Sequence, residues 1–269
     1  VRDRRADGGG TVSEVLALAD ANMVAMYCHD ARATRGGFVV ERPGIVLCGA
    51  PTNLAVANMA IVRGRVDAPT VEAETARVFG ESALPFTVWT RAHADVGLDT
   101  DLQERGWTLL MRVPAMVLDE GAGELFAPPA GVAIRPVADV RDCRAYAAVA
   151  AEAWTTYGVP LASTAAHFHD PGHLLGPETA AFLAWEGRRA VAGAVLYLLR
   201  GVAGIGWVST VTRARGRGLG AAVTSAAVRE GRRRGARWTS LQASVLGEPV
   251  YRRMGFCTLS SYGVFVQRG

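Results

Sequence analysis

Between Val211 and Val223 an apolar run breaks into the turn Thr212-Arg-Ala-Arg-Gly-Arg-Gly-Leu-Gly220 and then becomes a helical pattern, which few folds accommodate. Gly216, Gly218 and Gly220 lack a Cβ, so the backbone bends through conformations closed to other residues and turns several N–H groups toward one point. A helix over 219–234 adds the unbonded N–H groups of its first turn and the positive end of its dipole. Arg213, Arg215 and Arg217 supply fixed charge. The turn reads as an anion cradle, and the ligand it suits carries phosphates.

Three phosphate-binding patterns compete for this segment. A P-loop needs Gly-Lys-Ser/Thr, and the chain has no lysine. The dinucleotide pattern G-x-G-x-x-A fits Gly216, Gly218 and Ala221, but about twenty residues on, where an acidic ribose ligand belongs, stands Trp238-Thr-Ser-Leu-Gln242. Too little chain then remains for the rest of a doubly wound sheet. The third pattern, Arg/Gln-x-x-Gly-x-Gly/Ala, is met by Arg215, Gly218 and Gly220.

With Val250-Tyr-Arg-Arg-Met-Gly-Phe256 downstream of this cradle, the chain from Val132 onward resembles the GNAT superfamily of acyl-CoA-dependent N-acetyltransferases. The resemblance implies an α/β (α+β) fold with a mixed, mostly antiparallel sheet flanked by helices. It implies acetyl-CoA as cosubstrate, held by Val211, Thr212, Arg213, Arg215, Gly216, Arg217, Gly218, Leu219, Gly220 and Ala221. Backbone groups of Val211 and Arg213 would bond the pantetheine arm, with the Val211 N–H polarising the thioester carbonyl. Thr212, at the mouth of the loop, is read as structural. Tyr251 would be the general acid for the CoA thiolate, against the plainer reading of a tyrosine packed on the core. An asparagine commonly precedes that tyrosine, and its position here holds Ser244, so Ser244 and Gly247 are the substitutes the resemblance offers for contacting the cofactor.

The surrounding pattern fits. Thr179–Trp185, Ala190–Leu199 and Val202–Val211 read as three strands of an antiparallel meander leading to the cradle. Trp238–Ser244 and Phe256–Val266 read as strands, Gly247–Met254 as a short helix, and Val137–Trp154 as a helix opened by Asp139. At 269 residues the chain has room for two ordinary domains.

A second relation supports two units. Gly106-Trp107 and Gly255-Phe256 lie in matching contexts, each followed by a final strand, Leu109–Leu118 and Thr258–Val266. Upstream, Gly37–Leu47 and Asn53–Val62 read as two or three meander strands and Thr70–Phe79 as a helix. We therefore expect a tail at 1–12, a degenerate GNAT-like domain at 13–119, a Gly/Pro-rich linker at 120–131 and the cradle-bearing domain at 132–269. In the first unit the cradle counterpart Ile61–Pro69 keeps a single glycine and carries Asp67, which repels phosphate; the counterpart of Tyr251 is Leu102. Such a unit would wall the substrate cleft, make a homodimer contact or bind a regulator.

Composition sets limits. Net charge is +4 and every basic residue is arginine, but no aromatics interleave the cluster Arg229–Arg237, so nucleic acid is not expected. That cluster reads as a solvated helix end or as a contact to the CoA 3′-phosphate. No apolar run reaches the ~20 residues of a membrane span and no signal-peptide core begins the chain, so a cytoplasmic protein is expected. Cys28, Cys48, Cys143 and Cys257 lack metal spacing and read as reduced core residues.

The general base is least determined. The strand Ile205–Thr210 has no carboxylate, leaving Glu152, His167, His169 and Asp170 as candidates. His167, His169 and His173 would make a metal cluster only if Asp170-Pro-Gly172 did not interrupt their spacing, so no metal is expected. Trp154, Tyr157 and Phe168 suit an apolar or aromatic acceptor as well as core packing. The expectation is acetyl transfer to a small-molecule or peptide amine by direct attack in a ternary complex. The alternative is an acyl-CoA-binding sensor or interaction module without turnover.

Overall fold

The computed structural model describes residues 11–52, 55–80 and 84–267. The tail expected at 1–12 lies outside the described residues as far as residue 10; Thr11 and Val12 already belong to a helix. That helix, α1 (Val12–Ala33), is fixed by a capping box in which the Thr11 hydroxyl accepts from the Glu14 N–H and the Glu14 carboxylate accepts from the Thr11 N–H. It did not emerge from the sequence pattern.

Strands β1 (Phe38–Arg42), β2 (Ile45–Gly49) and β3 (Met59–Val62) form the first meander, followed by α2 (Ala68–Phe79). Next come β4 (Thr87–Arg91), α3 (Leu98–Glu104) and β5 (Trp107–Asp119). The second half repeats the order with β6 (Val132–Pro136), α4 (Val140–Trp154) and a short α5 (Leu161–His167) before the meander β7 (Thr179–Glu186), β8 (Arg189–Leu199) and β9 (Val202–Thr210). Then follow α6 (Leu219–Arg233), β10 (Trp238–Gln242), α7 (Glu248–Arg253) and β11 (Cys257–Gln267). Asp139 caps α4 through the Asp142 N–H, as its sequence position suggests. The turns into the two final strands repeat in geometry: Gly106 and Gly255 have φ of 90° and 92°, a region that favours glycine.

All eleven strands join in one mixed, mostly antiparallel sheet of order β1-β2-β3-β4-β11-β5-β10-β9-β8-β7-β6, with helices on its faces. The last strands of the two halves are exchanged. β5 lies between β11 and β10, while β11 pairs with β4 on its other side. Neither span, 13–119 or 132–269, contains all the strands that its own part of the sheet needs.

The halves are further bound by α1, which packs on β1 and β2 and also on β8, β9 and β10. Asn22 Nδ2 donates to the carbonyls of Leu199 and Val202 at 2.8 and 2.9 Å. The connection at 120–131 is pinned, since the Glu124 N–H donates to Met254 O and the Phe126 N–H to Ser225 Oγ. Cys28, Cys48 and Cys143 are buried free thiols, but Cys257 is exposed and is no core residue. No described helix is long and apolar enough to cross a membrane.

Candidate active site

The site is built where β9 and β10 separate. These parallel strands pair only from Val202 to Ile205 against Trp238 to Leu241, although β9 continues to Thr210. Beyond Ile205 a bulge against β8 puts Trp207 at φ 52°, and β9 swings away from β10. In the first half, by contrast, β3 pairs with β4 from Met59 to Ile61, nearly its whole length.

At the end of β9 the chain makes a 3₁₀ turn, Thr212–Ala214, and enters the glycine loop. Gly216 and Gly218 have φ of 76° and 79°, and a Cβ on either would meet no atom within 4 Å. The reason for glycine is therefore backbone conformation and an open approach from outside. Gly218 is the N-cap of α6 and offers no side-chain acceptor. The first N–H bonded back along the chain is that of Ala222, to Gly218 O. Among the described residues no acceptor meets the N–H groups of residues 216–221, so six consecutive donors stand unmet along the loop and the start of α6. Leu219 and Ala221 have buried side chains and contribute only backbone. A Cβ on Gly220 would lie 3.7 Å from Thr210 Oγ1, an ordinary contact.

The first half shows how such a cradle is closed. There the Asp67 carboxylate caps α2 by accepting from the Thr70 N–H at 3.0 Å, so the start of that helix is met by the protein's own anion.

The three arginines divide by role. Arg215 is an internal tie: its Nε donates to Thr210 O, and its Nη2 donates to Ala153 O and Thr156 Oγ1 at 3.2 and 2.7 Å. Arg217 pairs with Glu186 at 2.7 Å, and Arg213 approaches the same carboxylate at 3.9 Å. The Arg217 guanidinium holds the Glu186 carboxyl below its usual range.

The Val211 N–H donates to Val191 O at 3.0 Å and its carbonyl accepts from the Ala214 N–H at 2.9 Å, so both groups are engaged within the protein. Backbone groups alternate sides along a strand, so those of Thr210 point away from β8, its carbonyl accepting from Arg215 Nε. Thr212 is exposed, with its N–H on Glu152 Oε1 at 3.2 Å. That bond brings Glu152, at the end of α4, to the mouth of the opening.

Across the gap stands Tyr251, 8% exposed, its ring edge-on to Phe256. Burial pushes its hydroxyl pKa far above the ordinary tyrosine range, with nearby Tyr157 adding to the shift and Thr224 on α6 opposing it. The Tyr157 hydroxyl donates to Ser244 Oγ at 2.9 Å, which links the α4 side of the cleft to the chain after β10. Ser244 Oγ also accepts from the Gly247 N–H. Trp154 stacks obliquely between Tyr157 and Trp207, with centroids 5.5 and 4.8 Å away.

Behind Trp207 lies a buried polar cluster that sequence reading missed. Asp30 of α1 accepts from Tyr197 Oη and Trp207 Nε1, both at 2.9 Å. His167 Nε2 and His173 Nδ1 stand 3.7 and 3.6 Å from its two oxygens. Burial opposes charge on Asp30, but the two histidines outweigh it and hold the carboxyl well below its ordinary range. Burial lowers the His167 pKa. The Asp170-Pro-Gly172 turn, expected to keep these histidines apart, instead folds so that the two rings lie 4.5 Å apart, while His169 is exposed.

Residues 143–256 match the family model for the Acetyltransferase (GNAT) family. None of the curated proteins matches the sequence. Solved structures resemble the whole architecture. A GCN5-related N-acetyltransferase from Kribbella flavida aligns with TM-score 0.72 and 21% identity over 94% of this chain and 95% of its own. One from Sphaerobacter thermophilus aligns with TM-score 0.59 and 19% identity over 82% and 79%. A tandem GNAT protein from the clavulanic acid biosynthesis pathway aligns with TM-score 0.58 and 15% identity over 94% and 93%. A splayed strand pair, a glycine cradle opening a helix and a tyrosine facing it thus lie within the segment 143–256 that matches the Acetyltransferase (GNAT) family model, in a chain whose fold is shared with GCN5-related N-acetyltransferases over nearly its whole length.

Proposed function

We propose that the protein transfers an acetyl group from acetyl-CoA to an amine by direct attack in a ternary complex. The observation that carries this reading is the row of unmet N–H groups at 216–221 beside a strand pair open from Ile205 onward. The pyrophosphate binds those N–H groups and the start of α6, as an anion at a helix N-terminus does. Arg213 and Arg217 then exchange Glu186 for phosphate oxygens. The pantetheine arm lies along the exposed edge of β9 as an added strand, and the Thr210 N–H, one residue before the position expected from sequence, stabilises the oxyanion of the tetrahedral intermediate.

Collapse of that intermediate breaks the C–S bond and leaves a thiolate on CoA. Tyr251, kept protonated by burial, donates its proton to the sulfur. The amine must attack unprotonated, and Glu152, on the Thr212 N–H at the mouth, is the carboxylate placed to accept its proton directly or through water. Trp154 and Tyr157 make that mouth aromatic, which suits an amine on an apolar or aromatic body.

Isothermal titration with CoA and acetyl-CoA, followed by thiol release with a panel of amines, tests the reading. Micromolar binding with thiol release supports it. Binding without release from any amine would favour a sensor, and no binding by either CoA species would end both.

A further inference from the structure

We infer that Asp30, His167 and His173 form a binding site for one divalent cation of the zinc class. All three are at most 3% exposed, and one ligand atom from each can be chosen so that all lie within 4.8 Å of one another. This is a His₂–carboxylate set, and the donors are the borderline nitrogen and hard oxygen that zinc and its neighbours accept.

The hydrogen inventory points to a missing positive centre. Thr34 Oγ1 has a single hydrogen, donated to the Asp30 carbonyl at 2.9 Å. It can then only accept from His173 Nε2, also at 2.9 Å, so that nitrogen carries the ring proton. Nδ1 then faces Asp30 Oδ1 at 3.6 Å, beyond hydrogen-bond reach, so the carboxylate calls for a positive centre on that side, either a second ring proton or a cation. His167 is starker, because neither of its ring nitrogens has a hydrogen-bond partner. Buried polar atoms are nearly always satisfied, and here three ring nitrogens in one cluster are not.

The spacings suit an ion better than a shared proton. A hydrogen bond between a ring nitrogen and a carboxylate closes to about 2.7–2.9 Å. Tetrahedral zinc with bonds of ~2.0–2.1 Å holds neighbouring ligands about 3.3 Å apart. The observed 3.6 Å to Asp30 Oδ1 and 3.7 Å to Asp30 Oδ2 lie beyond the first, and with one atom from each residue the set spans up to 4.8 Å, so binding would draw the three ligands inward toward the second.

The surroundings do what outer partners of a metal site do. Tyr197 and Trp207 fix the carboxylate, and Thr34 fixes the tautomer of His173. A cavity lined by Tyr27, Asp30, Thr34, His167 and Trp207 has about 10 Å³ of room, about one water's worth, beside two of the three ligands. The ion would clamp α1 of the first half to the α5 region of the second.

The whole protein, dialysed against EDTA and then titrated with Zn²⁺, should take up one equivalent that survives gel filtration by elemental analysis. Its melting temperature should rise by several degrees, and Co²⁺ should give the visible absorption of a tetrahedral site. His173→Ala and the milder His167→Gln, checked for fold by circular dichroism, should lose both the equivalent and the shift. Wild-type protein that retains no Zn²⁺ and shows no shift would overturn the site without recourse to any variant. Stoichiometric binding undiminished in both variants would overturn it too, by placing the ion elsewhere. Neither readout depends on acetyl-CoA, so failure here would leave the transferase reading intact.

Discussion

Asn22 of α1 sits directly on Gly204 of β9, with its Oδ1 where a Cβ on residue 204 would be. Its Nδ2 meanwhile donates to the carbonyls of Tyr197, Leu199 and Val202, closing the β8–β9 turn onto the helix. Asn22→Leu strands these carbonyls beneath a buried side chain and should cost about 2 kcal/mol or more in urea unfolding. Gly204→Ala, which drives a methyl into the same amide, should also destabilise. A double variant less destabilised than the sum would confirm that both report one contact.

Gly218→Ala separates conformation from space. A methyl there meets nothing within 4 Å, so the stability cost is only that of a left-handed residue, about 1–2 kcal/mol. The cradle should suffer more, with affinity for CoA falling at least tenfold by calorimetry while the fold persists. Unchanged affinity would remove the loop from the binding site.

Glu186 competes with phosphate for Arg217 and Arg213. Glu186→Gln should therefore bind CoA a few-fold more tightly in low salt, and the gain should shrink as salt screens exposed charges. A gain independent of salt, or a loss, would show that the carboxylate has another role.

Tyr251→Phe should lower kcat by roughly 10² with little change in the dissociation constant of acetyl-CoA. Because burial raises the pKa of this hydroxyl, it stays protonated throughout the neutral and mildly alkaline range. The pH–rate profile of the native enzyme should then show no falling limb from this group below pH 10. Such a limb, absent from the Phe variant, would mean that the hydroxyl is more exposed than it stands here.

Glu230 governs an acid-side effect. Arg233, with Arg234, holds its carboxyl down to about 2 in the folded protein, below the value of a free glutamate. The depressed acid contributes stability above its unfolded pKa, and that contribution is lost as pH falls from about 4.5 through about 2. Thermal melts of Glu230→Gln should lose less stability than the parent between pH 5 and pH 2.5. Parallel curves would rule out the pairing.

The second half was largely legible because its signals are local: Gly218 at the start of α6, Asp139 before α4 and Gly255 before β11 each act within one turn of chain. Helix α1 was not, because its buried positions include Asp20, Asn22 and Asp30 among Val15, Leu16 and Met23, which breaks the apolar stripe a reader looks for. Thr11 and Glu14, three residues apart, were the available signal. The metal-ligand set stayed hidden for a related reason, since Asp30 joins His167 and His173 only through the packing of that helix. Strand exchange has no sequence signature, because an alternating pattern fixes which face of β5 is buried and not which strands lie beside it.

That exchange limits what can be removed. The first half, whose α2 is capped by Asp67, owns the strand on which β10 and β11 both lean. Its removal would tear a row of hydrogen bonds from the half that keeps the cradle. Keeping the second half intact therefore requires keeping the strand that the first half supplies.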